Sequence, residues 1–290
     1  MKKLVQNLGL ICLAFAASFA ITAIGQGLWG VMVMANVKLT PALPWAAVIM
    51  PPVLAALVMF LSGRGWPRQG AAARRALVPL APVSVRAWTW ALVSGAAGVI
   101  ALAALWTVMA SIVRVPPNVL PDTHGIPPLT LAAILLVSIV AAPLTEEIAF
   151  RGYAIGLLRR RFGPIAALVV SSVLFAAAHL TQGLYPTKLL VYLLVGLGLG
   201  VTAWRTGSLL PAMVVHSFGD LTFFTMVWSH DAGRKLVSEG GANGWFFANV
   251  AILIVFTPLT ILAIRRLFEV TAKKAATATP GAGLIAPASA

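Results

Sequence analysis

The stretch PLTLAAILLVSIVAAPLTEEIAFRGYAIGL, Pro128 to Leu157, decides the fold. Crossing the hydrocarbon core of a bilayer as a helix takes about 20 predominantly apolar residues, and this run exceeds that length. Yet it contains Glu146, Glu147 and Arg151. A charge at the centre of a membrane helix costs about 2.5–3.5 kcal/mol on insertion scales. Ionisable residues placed at that cost are functional by default, so one run predicts both a spanning helix and polar chemistry inside it.

Working outward, the rest of the chain has the same character. Of 290 residues, 60% are hydrophobic and only 10% charged, and mean hydropathy is +0.95. These values lie outside the usual range of soluble globular proteins. Apolar runs separated by Pro/Gly-rich connections predict spans at roughly 8–36, 41–62, 87–113, 128–157, 164–181, 188–204, 208–228 and 244–264. The expected fold is an all-α, polytopic transmembrane helical bundle of about eight spans. Residues 1–127 carry the first three spans, 128–228 a four-helix core, 229–270 the last span, and 271–290 a disordered tail. Pro44, Pro51 and Pro52 predict kinks in the second span. The N-terminus begins like a signal peptide, but its apolar character continues through GLWGVMVMANV, so a retained transmembrane helix is expected.

A cytoplasmic N-terminus places fifteen lysines and arginines inside and five outside, with Arg151 in the membrane. By the positive-inside rule both termini are then cytoplasmic, and the expected setting is a bacterial cytoplasmic membrane. The net charge of +14 does not imply a nucleic-acid partner, because the basic residues form short clusters between apolar runs. Contacts of those clusters with anionic lipids are expected instead. Cys12 stands alone, which excludes an internal disulfide framework and a thiolate metal site. The motif GLGLG, with Gly196, Gly198 and Gly200, follows no strand and reads as a small-residue packing face.

The chain has seven acids and four histidines. Asp122, Asp231, Glu239, His124 and His230 fall in outer loops and Glu269 in the tail, leaving Glu146, Glu147, Asp220, His179 and His216 within spans. Glu147 and Arg151 stack one turn apart and can pair. Glu146 points about 100° away around the helix and is free for chemistry. If the chain reverses near Gly163, Glu146 and His179 come to the same depth. His216 and Asp220 share a face of the seventh span. A carboxylate beside a neutral imidazole can activate water, and a second imidazole can stabilise an oxyanion. Alternatively, Glu146, His179, His216 and Asp220 supply the nitrogen and oxygen donors of one zinc ion. Ser171 and Ser172 are expected to pack rather than act as nucleophiles. Each residue also has a plain structural reading: a helix-locking ion pair, a hydrogen-bonded histidine strut, a packing acceptor. The functional alternatives to hydrolysis are a proton-coupled transporter using Glu146, His179 and Asp220 as a relay, and a non-catalytic scaffold.

Three ordered motifs carry a family resemblance: Glu146, Glu147 and Arg151 as EExxxR, Phe175 and His179 as FxxxH, His216 and Asp220 as HxxxD. Together they resemble the CPBP intramembrane proteases, a family that includes CAAX-prenyl-protease-like and bacteriocin-processing, Abi-like proteins. The resemblance covers residues 128–228. It implies an intramembrane endopeptidase acting on peptide or lipidated protein substrates, metallo- or glutamic in type. Glu146 and His179 would then activate water, Glu147 with Arg151 would shape the site, and His216 with Asp220 would stabilise the tetrahedral intermediate or bind metal. Phe175 would pack beside the site or touch substrate. Asp220 stands where many members carry Asn.

Overall fold

The computed structural model describes residues 2–116, 124–231 and 233–277. Among them every regular element is a helix, and one isolated antiparallel bridge joins Leu80 and Ser208. The helices are α1 (Lys2–Leu39), α2 (Trp45–Leu61), α3 (Ala71–Leu77), α4 (Val85–Ile112), α5 (Pro128–Glu146), α6 (Ile155–Ala178), α7 (Pro186–Thr206), α8 (Leu210–Thr222), the short α9 (Val237–Gly240) and α10 (Gly244–Thr277). Six helical stretches are long and apolar enough to cross a membrane. One of these, Pro128–Gln182, is a continuous run of 55 residues that folds back on itself. With no water in the bilayer core, helices satisfy every backbone group internally, so this is a polytopic helical membrane protein.

The reversal is at Gly163, whose φ of +77° and ψ of 172° interrupt α6. Only glycine adopts that conformation without strain, and Pro164 starts the descending arm. Ser171 Oγ donates to the carbonyl of Phe150 at 2.7 Å, while Leu158 and Ala167 share one apolar cluster. The two arms therefore run antiparallel.

Several expectations need adjustment. Pro44 caps the start of α2, and only Pro51 and Pro52 lie inside it. Glu269 is not in a tail: it belongs to α10 and pairs with Arg266 at 2.7 Å. Helix α10 runs on to Thr277, past the expected boundary at 271. The remainder of that tail, 278–290, and Asp122 lie outside the described residues.

Close helix approaches are set by small residues. A Cβ on Gly25 would sit 2.4 Å from Thr145 Cγ2, on Gly95 2.3 Å from Val215 Cγ2, and on Gly196 2.9 Å from Ser172 Cβ. These contacts bring α1 to α5, α4 to α8 and α7 to α6 at backbone distances that larger residues would forbid. The basic connection between α2 and α4 is also ordered. It contains α3 and ends with Leu209 N–H donating to the Pro79 carbonyl at 2.9 Å. Leu77 packs against Gly152 and Gly156, so this connection buttresses the segment that follows Glu146.

Candidate active site

The charged run of the sequence is not an ordinary helix. From Glu147 to Ala154 the chain forms a π-helix between α5 and α6. Such widened turns frequently occur at functional sites. Pro143 lies four residues upstream, where it lacks the N–H that would bond back along α5. Neighbouring helices hold the widened turn in place. Ser18 Oγ of α1 donates to the Ala149 carbonyl at 2.9 Å, and Ser171 Oγ to that of Phe150. Ser171 and Ser172 thus bond to backbone carbonyls, as packing residues do.

Within the π-helix Arg151 Nη1 lies 3.0 Å from Glu147 Oε1, both side chains almost fully buried. The same oxygen accepts from His216 Nδ1 at 2.8 Å. Glu147 is therefore more than a neutralising partner, because it also sets the orientation of His216 from another helix. Its Oε2 is buried and has no hydrogen-bond partner among the described residues. The guanidinium of Arg151 lies over the Phe175 ring, 4.3 Å from the centroid, a cation–π contact strengthened by the burial of both groups.

With Nδ1 committed to Glu147, His216 presents Nε2 to two further carboxyl groups. Glu146 Oε2 is 3.6 Å away and Asp220 Oδ1 3.7 Å. Three of the six candidate residues, namely Glu146, Glu147 and Asp220, thus surround a fourth, His216, and Arg151 joins them through Glu147. The sixth, His179, begins the short 3₁₀ turn His179–Gln182 at the end of α6. Its Nδ1 bonds the Phe175 carbonyl at 2.8 Å. A carbonyl only accepts, so Nδ1 carries the proton there and a neutral ring keeps its lone pair on Nε2. The ring is stacked on Tyr192, 3.8 Å between centroids and 23° between planes, and on its other contact meets Phe175 at 4.7 Å. Phe175 is itself only 1% exposed, so it serves as the hub on which Arg151, His179 and His216 are arranged.

The site borders one cavity of about 910 Å³, which Glu147 and Arg151 do not line. Glu146, His179, His216 and Asp220 line it together with Gln26 of α1, Trp106 of α4, Tyr192 of α7 and Thr257 of α10. Most of the wall is apolar side chain, the usual design of a ligand site in which a few polar groups fix orientation.

Two residues of the site escaped sequence reasoning. Gln26 donates from Nε2 to Glu146 Oε1 at 2.6 Å, and Tyr192 donates its hydroxyl to Gln182 Oε1 at 2.6 Å while covering His179. Neither is ionised at neutral pH nor part of a motif. A glutamine within an apolar first span was the signal available for one of them.

The comparison with known families falls on this same region. Residues 128–222 match the Rce1-like family. That segment, about a third of the chain, is similar to the family described as type II CAAX prenyl endopeptidase Rce1-like. This is the group of membrane proteases that the three motifs resemble. No curated protein and no solved structure matches the chain.

The same side chains are nitrogen and oxygen donors of the kind a metal ion takes. Among the described residues, no group of three or more His, Cys, Asp and Glu side chains is arranged to hold one. In this arrangement the residues do not fit a ready-made zinc site, which needs three protein ligands converging at about 2.0–2.3 Å from the ion.

Proposed function

We propose that this protein is an intramembrane endopeptidase that hydrolyses peptide bonds of membrane-associated or lipidated proteins, with water activated by Glu146 and His179. One observation carries the reading. A carboxylate, two imidazoles and a second carboxyl group from α5, the end of α6 and α8 border a single, mainly apolar cavity. The Rce1-like match over the same helices supports the protease class.

The chemistry follows from the atoms that face the cavity. A water between Glu146 and His179 is oriented by the lone pair of His179 Nε2 and gives its proton to the Glu146 carboxylate as its oxygen attacks the scissile carbonyl carbon. The carbonyl oxygen becomes an oxyanion. His216 is held by Glu147, and its Nε2–H, when the ring carries both protons, donates to that oxygen. A protonated Asp220 is the second available donor. Collapse of the intermediate breaks the C–N bond, and the proton on Glu146 passes to the leaving amine. Arg151 does not reach the cavity; it keeps Glu147, and through it His216, in place.

The test uses purified protein in nanodiscs with fluorogenic peptides, lipidated and unlipidated. Glu146→Ala and His179→Ala should each abolish cleavage while leaving the folded fraction unchanged. Persistent cleavage in both variants would end this reading. Metal content and chelator sensitivity of the active protein, measured alongside, separate the glutamic from the metallo type.

A further inference from the structure

Glu146 receives its closest partner from a helix outside the family-matched segment. Gln26 Nε2 donates to Glu146 Oε1 at 2.6 Å across 120 positions of sequence. The approach has a structural cause. Ala14, Ser18, Ile21, Gly25 and Trp29 form a buried stripe along α1, spaced three and four apart so that one face is covered. Trp29 Nε1 donates to Ser138 Oγ of α5 at 2.9 Å, and Ser18 bonds the π-helix. Between these two anchors Gly25 lets α1 rest on Thr145. Gln26 follows Gly25 and lies at the edge of the stripe, lining the cavity beside the carboxylate.

This bond singles out one oxygen. With Oε1 held by Gln26, Oε2 is the atom turned towards His216 Nε2 at 3.6 Å. The neighbours of Glu146 include Glu147 and Arg151 in its own segment and His216 and Asp220 from α8, and His179 borders the same cavity. Gln26 differs from all of these in being a neutral amide, able to donate to a carboxylate without adding charge to a site in the membrane.

We propose that Gln26 is a positioning residue: its amide fixes the Glu146 side chain so that Oε2 takes the proton of the attacking water. The first helix then completes a site whose motifs all lie in the core. This proposal rests on Glu146 being the general base.

The experiment compares Gln26→Met, which keeps length and removes the donor, with Gln26→His, which restores an N–H of similar reach. Gly30→Ala, on the same helix with open space around it, is the control. Loss of a hydrogen bond to a charged group predicts a fall in kcat of about tenfold to a hundredfold for Gln26→Met. KM should change less than about twofold, because the bond orients the base rather than the substrate. Gln26→His should recover part of kcat, and Gly30→Ala should match the parent. Independently of turnover, the infrared band of the Glu146 side chain, isolated by subtracting the spectrum of Glu146→Gln, should shift in Gln26→Met. Unchanged kcat with an unchanged band overturns the proposal, as does a rise in KM alone. Cleavage that survives Glu146→Gln overturns Glu146 as the general base and this proposal with it. Cleavage lost in Glu146→Gln but intact in Gln26→Met overturns only the role of Gln26.

Discussion

Two glutamate–arginine pairs in this chain look alike on a helical wheel and differ in everything else. Glu147 and Arg151 meet at 3.0 Å with side chains 0% and 2% exposed. Arg266 and Glu269 on α10 meet at 2.7 Å with side chains 61% and 54% exposed. The shorter contact is the weaker one. In the exposed pair, hydration and side-chain entropy offset most of the attraction, and such pairs contribute about 0–1 kcal/mol. In the buried pair neither group has water to return to, so each depends on the other and on what surrounds them. That dependence links Arg151, through Glu147 Oε1, to His216. Burial, not distance, makes an ion pair part of a site.

The largest effect that sharpens this contrast concerns Glu146. Glu146→Gln should lower kcat by about 10²–10⁴-fold, the usual contribution of a general base, whereas Glu269→Gln should leave cleavage unchanged. Both are read by turnover of a fluorogenic peptide. Next comes the pair itself. Arg151→Met leaves Glu147 buried without its cation and should destabilise the protein by about 3–5 kcal/mol, measured by unfolding in detergent. Arg266→Met should stay within about 1 kcal/mol. Equal losses for the two would show that burial does not set the strength of these pairs.

Smaller effects test the scaffold around the buried pair. Gly196→Ala would bring a Cβ within 2.9 Å of Ser172 and should destabilise by about 1–3 kcal/mol through overpacking. Gly198→Ala, with nothing within 4 Å, should be neutral or stabilise by up to about 1 kcal/mol through helix propensity. The same unfolding assay reads both. Ser171→Ala removes one buried hydrogen bond to the π-helix and should cost about 1 kcal/mol. A much larger loss there would show that the widened turn depends on that serine.

The helical membrane fold was legible in composition and in the length of apolar runs, because a bilayer imposes both on any chain that crosses it. The pairing of Glu147 with Arg151 was legible for a local reason: helical residues four apart are neighbours. The fold-back at Gly163 was legible as the break between the apolar runs 128–157 and 164–181. What was not legible lies between helices. The π-helix at Glu147–Ala154 depends on support from Ser18 and Ser171 on two other helices. The second role of Glu147 depends on α8 arriving with His216 at the right height. The extent of α10 past residue 271 was missed because its last turns, TAKKAAT, are polar and small, which resembles a tail when read without its preceding helix.

By itself, then, the sequence determined that this protein is a bundle of membrane helices with a costly set of ionisable groups in its core, and which of them are neighbours along one helix. Only the tertiary structure decided that Gln26 meets Glu146, that Glu147 is shared by Arg151 and His216, and that Tyr192 and Phe175 clasp His179. Helical periodicity fixes the contacts of a residue within its own helix. Partners more than a hundred positions away are set by how closely helices approach and at what depth they cross, and here glycines such as Gly25 and Gly196 decide that approach.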